Sequence, residues 1–290
     1  MLTPLQIDVL LHWNLNPSIW IGTALLVVAY LTGVGPLRRR FGWAEELQPK
    51  QVGAFLAGTL VMFLALASPL DFLGDVYLFS AHMVQHLLLT AVVPPLWLLG
   101  TPDWLLRPLI KPRAIKSALR LLTRPLVAFL LFNGNFALWH LPALYNLTLH
   151  NELIHVLEHI LFMATALLNW WPIFGPLPDE FPHLLNLGQV LYMFANCQVM
   201  VALGALLFFS SNHPAYTPYY FAPRIIGLSP ADDQMLGALI MWIPGNLVYL
   251  LVMSIAFYVW LDKMERKQRE REALEDEREL EQDHSVEQAL

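Results

Sequence analysis

Residues 77–99 read YLFSAHMVQHLLLTAVVPPLWLL, 23 positions without a single Asp, Glu, Lys or Arg. A helix needs about 20 apolar residues to cross a hydrocarbon core roughly 30 Å thick, so this stretch is long enough to span a bilayer. Six further stretches approach the same length, at 18–36, 51–70, 125–141, 152–171, 185–209 and 235–261. No solenoid period, Gly/Ser linker or dinucleotide-type glycine fingerprint separates them. The expected fold class is therefore all-α: a polytopic membrane protein whose seven-transmembrane-helix bundle covers 18–261. An external segment, 1–17, precedes the bundle, and a charged tail, 262–290, follows it.

Composition agrees. Of 290 residues, 57% are hydrophobic and 14% charged, against about 45–50% and about 25% in soluble domains. Too little polar surface remains to clothe a water-soluble globule, which argues against soluble enzymes, disordered scaffolds and nucleic-acid partners. The one cysteine, Cys197, leaves no internal disulfide and no two-thiol motif. Residues 1–17 carry Asp8 and no basic segment, so no cleaved signal peptide is expected.

Orientation follows from the basic residues, which concentrate in short cytoplasmic loops. Arg38, Arg39, Arg40 and Lys50 lie between helices 1 and 2; Arg107, Lys111, Arg113, Lys116, Arg120 and Arg124 lie between helices 3 and 4; six more follow helix 7. Sixteen of the 17 thus fall on one side of a seven-helix threading, with Arg224 alone opposite. The N-terminus is expected outside and the C-terminus in the cytoplasm. The tail holds eleven acids and six bases, which supplies nearly all of the net charge of -6; it is expected to be a frayed, solvated extension, with a cytoplasmic interaction helix as the alternative. Nine of the ten tryptophans, among them Trp20, Trp97, Trp139, Trp170 and Trp260, fall near predicted helix ends or in loops, as an interfacial aromatic belt would.

On this threading eight of the ten histidines lie toward the outer side, and their spacing is informative. His82-x-x-x-His86 on helix 3 and His155-x-x-x-His159 on helix 5 each place two imidazoles on one helix face. At 1.5 Å per residue, His86 and His159 sit about 13 and about 10 Å from the external helix ends. An imidazole without a partner is costly at that depth, and ionisable residues there usually mark function. Neutral imidazole is the commonest metal ligand. One such pair is explained as well by hydrogen bonds bridging helices; two at matched depth point to a metal.

Carboxylates cluster nearby. Asp71 and Asp75 follow helix 2, and Glu152 and Glu158 share the histidine face of helix 5, placed to orient ligating imidazoles from behind. Asp232 and Asp233 precede helix 7 and suit helix capping equally well. Met83 and Met163 stand beside the histidine pairs, and a stripe of Gln189, Met193, Asn196, Cys197 and Met200 runs down helix 6. Thioethers and thiolates select Cu(I), although Met is also a common core filler. Asn133, Asn135 and Asn246 read as inter-helix links, with Pro244-Gly245 a kink. The segment His155-Val156-Leu157-Glu158-His159 matches an inverted zinc-protease pattern, but it sits inside a membrane span.

Taken in order, several segments resemble one family. They are Trp13-Asn14 and Pro17; Ser68-Pro69-Leu70-Asp71; His82-Met83-Val84-Gln85-His86; Pro94-Pro95; Trp139-His140-Leu141-Pro142; His155-x-x-Glu158-His159; Asp233-Gln234-x-x-Gly237; and Met241-Trp242. Together they resemble the polytopic cytochrome c oxidase assembly factors called CtaG, of the caa3-oxidase type, and not the single-span, cysteine-bearing copper chaperone that shares the name. The resemblance implies a multi-pass protein of the bacterial inner membrane, not an enzyme, that handles copper for a haem-copper oxidase subunit. On this reading His82, His86, His155 and His159 bind copper, with Cu(I) favoured. His140, Glu158, Glu152, Asp75, Asp71, Met83, Met163 and Cys197 would tune or receive it. Two alternatives stay open: a membrane metalloenzyme with a His-x-x-x-His di-iron site, and a b-type cytochrome with haem between His86 and His159.

Overall fold

A computed structural model describes residues 3–44 and 46–289, with the backbone alone at 276 and 279–289. Among the described residues every regular element is helical. The elements that position the site are α1 (Pro4–Leu11), α2 (Pro17–Phe41), α3 (Pro49–Ala67), α4 (Pro69–Val76), α5 (Phe79–Gly100) and α6 (Arg113–Leu122). They continue with α7 (Pro125–Trp139), α8 (Pro142–Thr148), α9 (Glu152–Phe174), α10 (Asn186–Phe209), α11 (Pro230–Ile240) and α12 (Asn246–Ala289).

Helix starts follow the local sequence. Proline occupies the first turn of α1, α2, α3, α4, α7, α8 and α11, where its missing N–H costs nothing. Asn16, Ser68, Asn151 and Ser229 cap α2, α4, α9 and α11 by accepting hydrogen bonds from first-turn N–H groups. Three π-turns, at Gly33–Leu37, Leu88–Val92 and Met241–Gly245, interrupt spans; the first and third hold Pro36 and Pro244, and the second runs into Pro94-Pro95. The irregular bonding of a π-turn absorbs the donor that proline lacks.

Among the described residues six helices are long and apolar enough to cross a membrane, and a seventh span results if α6 and α7 count as one broken crossing. Helix α7 alone has 15 residues and is bent 73° from α6. The break is local: Pro125 drives Arg124 out of the helical region, to φ -60° and ψ 132°. The seventh apolar stretch begins earlier than its hydropathy indicates, at Pro230, and its helix runs on to Ala289. The charged tail is thus helical rather than frayed; its described side chains from Lys263 onward are exposed, with i,i+4 pairs Asp262–Arg266 and Glu265–Arg269 along it.

Helix α5 is the central element. Of its apolar stretch 61% is buried, against 17% for α2. Small residues let neighbours close on it, as membrane helix packing requires. A Cβ on Gly74 of α4 would stand 2.9 Å from His82 Cα, and one on Gly237 of α11 would strike the Phe79 ring. Asp233 of α11 takes the Phe79 N–H at 2.7 Å, the Ser80 N–H at 3.1 Å and the Ser80 hydroxyl at 2.5 Å. It therefore caps α5 rather than its own helix, which Ser229 caps by accepting from the Asp232 N–H at 3.1 Å.

Trp170 and Trp139 are core residues, not belt residues. Trp170 is fully buried, stacks on Tyr249 and donates to the Thr90 carbonyl at 2.9 Å, inside the π-turn of α5. Asn133 does link helices, donating from α7 to Asn196 of α10 at 3.0 Å, and Asn135 donates to Thr165 of α9 at 3.4 Å. Asn246 instead returns to the Trp242 carbonyl of the preceding turn at 2.6 Å.

Loops collect at two ends. At one, Asn14 donates to Asp71, Asn16 to Glu152, and Gln6 to the Ile225 carbonyl. At the other, Lys116 pairs with Glu180, Arg107 bridges Asp179 and Glu180, and Lys263 donates to Asn186.

Candidate metal centre

The i,i+4 spacing brings two imidazoles onto one face of α5 and two onto one face of α9, and the helices turn these faces toward each other. Ring centroids of His82 and His86 lie 4.1 Å apart, those of His155 and His159 4.3 Å. Across the helices His82 is 5.5 Å from His155, and His86 is 5.3 Å from His159. His82, His86 and His159 are buried, and His155 nearly so.

Buried polar atoms are normally paired. Here both ring nitrogens of His82 and of His86, and Nε2 of His155 and His159, are buried without a hydrogen-bond donor or acceptor from the protein. Both Glu158 oxygens share that condition: the Thr148 hydroxyl beside them donates to the Tyr145 carbonyl at 2.7 Å. Leaving so many groups unmatched costs about 1–3 kcal/mol each. A bound cation would relieve one nitrogen of each imidazole that ligates it, and a Glu158 oxygen where that carboxylate is among the ligands. Among the described residues two sets have ligand atoms mutually within 4.8 Å: His82, His155 and His159, and His82, His86 and Glu158.

Asp75, delivered by the close approach of Gly74, sits between the two helices. Its carboxylate is 3.6 Å from His82 Nδ1 and 3.5 Å from His155 Nδ1. Asp71 is one turn earlier and accepts from Asn14 at 2.7 Å and from Gln85 at 2.7 Å. Burial raises both acids above the ordinary carboxylate range; the Asp75 charge raises Asp71 further, whereas His155 pulls Asp75 back down. Gln85 also donates to the Ala65 carbonyl at 2.9 Å, tying α3, α4 and α5 together. Neither Asn14 nor Gln85 stands out as a site residue in the sequence, although a glutamine between two histidines in an otherwise apolar span needs a partner.

The remaining expected site residues divide. Met163 lines a cavity of about 430 Å³ between α2, α3 and α9, together with Asp71, Asp75, Glu152, His155 and His159. Glu152 is exposed at its rim, accepting from Asn16 at 2.7 Å. Met83 lines a small cavity against His86 with Met200 and Met241. His140 stands outside both ligand sets: at the end of α7 its Nδ1 is held by the Phe136 carbonyl at 2.7 Å and its ring packs on Phe136. Cys197 also belongs to neither set and packs in the core beside Tyr192 and Met193. Among the other histidines, His12 stacks on Phe72 and His183 meets the Gly175 carbonyl at 2.6 Å.

Fold and site together define an all-helical, multi-pass membrane protein with a buried cluster of four histidines and one carboxylate. Residues 28–263 match the family model of the cytochrome c oxidase caa3 assembly factor, and the chain belongs to that family. Uncharacterized proteins of Mycobacterium bovis and Mycobacterium tuberculosis are each 24% identical over 270 residues, 87% of this chain and 40% of theirs. One from Mycobacterium leprae is 25% identical over 268 residues, 86% of this chain and 39% of its own. The chain thus spans about two fifths of the length of these relatives. No solved structure matches it.

Proposed function

We propose that this protein carries copper to a haem-copper oxidase subunit during oxidase assembly, from a seven-span position in a bacterial inner membrane. The observation that carries the reading is the convergence of His82, His86, His155 and His159 with ring nitrogens that the protein leaves unmatched. Family membership supplies the client class. The distribution of basic residues supports an external N-terminus and a cytoplasmic C-terminus, and in that orientation the cluster lies toward the outer side.

Transfer asks for exchangeable binding rather than maximal affinity. Copper is cargo, and neutral imidazoles accept it without first losing a proton. His155 and His159 line the cavity between α2, α3 and α9, giving the ion a way in and out. Asp75 orients His82 and His155 and offsets the cation's charge. Thioether neighbours Met83 and Met163 suit the monovalent state. The work is binding and release, with no bond made or broken in a substrate.

A b-type haem between His86 and His159 fits less well. His82 lies 4.1 Å from His86 and His155 4.3 Å from His159, and these rings occupy the space a porphyrin would need. The test is complementation of a strain lacking this protein. Wild type is expected to restore the copper content and activity of the client oxidase, and the double variant His86→Ala/His159→Ala to fail while accumulating in the membrane. Full restoration by the double variant contradicts the reading.

A further inference from the structure

Resting on that copper reading, we infer that Met83, Met200 and Met241 form with His86 a thioether pocket for Cu(I), a position separate from the set of His82, His155 and His159.

Three parts of the bundle build the pocket. Met83 stands three residues before His86 on the same face of α5, Met200 comes from α10, and Met241 opens the π-turn that joins α11 to α12. All four residues are at most 3% exposed, and they line one cavity of about 10 Å³ together with Leu87, Thr90 and Phe136. Gly245, at the end of the same π-turn, leaves room for the Met200 sulfur: an added Cβ would stand 3.3 Å from Met200 Sδ. Thr90 belongs to the π-turn Leu88–Val92 and donates its hydroxyl to the His86 carbonyl at 2.7 Å. Two π-turns thus border the cavity, and such interruptions of a helix frequently accompany functional sites.

Size and chemistry select the occupant. The cavity is at the lower limit for a single water and too small for an organic ligand. A water would find the His86 ring and the Thr90 oxygen as partners, with three thioethers that accept hydrogen bonds only weakly. A soft monovalent ion gains four donors in the same space, because thioethers select Cu(I) and the unbranched methionine side chain turns its sulfur readily. Methionines that merely fill a core would not leave a buried imidazole among them with both ring nitrogens unmatched, as His86 has.

Protons and charge are accounted for without deprotonating any imidazole. A neutral histidine offers one lone pair and so serves one ion. When His82 joins His155 and His159, His86 retains its own lone pair and stands outside that set. The pocket takes this lone pair while the other ring nitrogen keeps its proton, and the thioethers add no charge. The ion brings a single positive charge, and the Glu158 carboxyl, with an oxygen within 4.8 Å of a His86 ring nitrogen, is placed to offset it.

The test is X-ray absorption at the copper edge, on the purified full chain in detergent saturated with Cu(I) under reducing conditions. Cys197→Ser serves as the parent, so that every sulfur near copper is a thioether. The parent is expected to show both sulfur and nitrogen around copper. Adding Met83→Leu/Met200→Leu/Met241→Leu, which conserves apolar volume, is expected to remove the sulfur and keep the nitrogen, with helical circular dichroism unchanged. Nitrogen alone around copper in the parent overturns the pocket and leaves the copper reading standing. Sulfur retained after the three replacements also overturns the pocket, because Met62 and Met163 of the larger cavity would then supply it. No Cu(I) bound by the parent overturns both.

Discussion

His82 on α5 and His155 on α9 face each other with ring centroids 5.5 Å apart and planes 22° from parallel, and the Asp75 carboxylate touches both Nδ1 atoms, at 3.6 and 3.5 Å. A residue of the short helix α4 thus fixes the mutual orientation of two spans. Removing the charge while keeping the shape isolates that role. Asp75→Asn is expected to weaken Cu(I) binding about 10–100-fold, the usual effect of losing a group that orients a metal ligand. Chelator competition reads the change, and helical circular dichroism should stay at the wild-type level.

Asp233 satisfies three donors at the start of α5, the Phe79 and Ser80 N–H groups and the Ser80 hydroxyl. In Asp233→Ala these donors stay buried without an acceptor, and a lost cap or an unmatched buried donor costs about 1–3 kcal/mol. A lower thermal midpoint in detergent is expected, with a smaller drop for Asp233→Asn, which keeps one acceptor oxygen. Equal midpoints for Asp233→Ala and wild type would deny the cap its role.

Gly74 lets α4 lie against the backbone of α5, where an added Cβ would stand 2.9 Å from His82 Cα and 3.0 Å from His82 N. Backbone cannot rotate away, so Gly74→Ala must push α4 outward and carry Asp75 off His82. Overpacking of this kind costs about 1–3 kcal/mol, and Cu(I) affinity should fall with stability. Gly134→Ala in α7 is the control: nothing lies within 4 Å of its added Cβ, and no loss is expected.

Orientation is testable with single cysteines after Cys197→Ser. Phe221→Cys and Leu109→Cys occupy positions 88% and 64% exposed, at the two opposite ends. In intact spheroplasts a membrane-impermeant thiol reagent is expected to label the first and spare the second. The reverse pattern would place the histidine cluster toward the cytoplasm and contradict the outward orientation.

Much of this was legible in sequence because membrane spans and i,i+4 pairs are local patterns. The 23 residues around His82 and His86 announce both a crossing and a ligand-bearing face. What periodicity does not carry is the contact between helices. Glu158 reads as an orienting neighbour of His159, yet its carboxyl meets His82 and His86 on α5, which only the packing of α5 against α9 reveals. Asp75 reaches two histidines because Gly74 allows close approach, a matter of tertiary fit. Trp170 falls near the end of a hydropathy window and so reads as interfacial, whereas the π-turn at Leu88–Val92 supplies a carbonyl that draws it into the core. The break before Pro125 and the helical course of the charged tail depend on backbone geometry and ion pairing that a hydropathy window averages away.

The claim that the four histidines hold copper meets its most direct test in elemental analysis of the purified chain. Copper per chain is measured for wild type and for His86→Ala, His159→Ala and the pair combined. Copper is expected in wild type, reduced in each single variant and lost in the double variant. Copper content unchanged across all four proteins, or stoichiometric iron in place of copper, would contradict it.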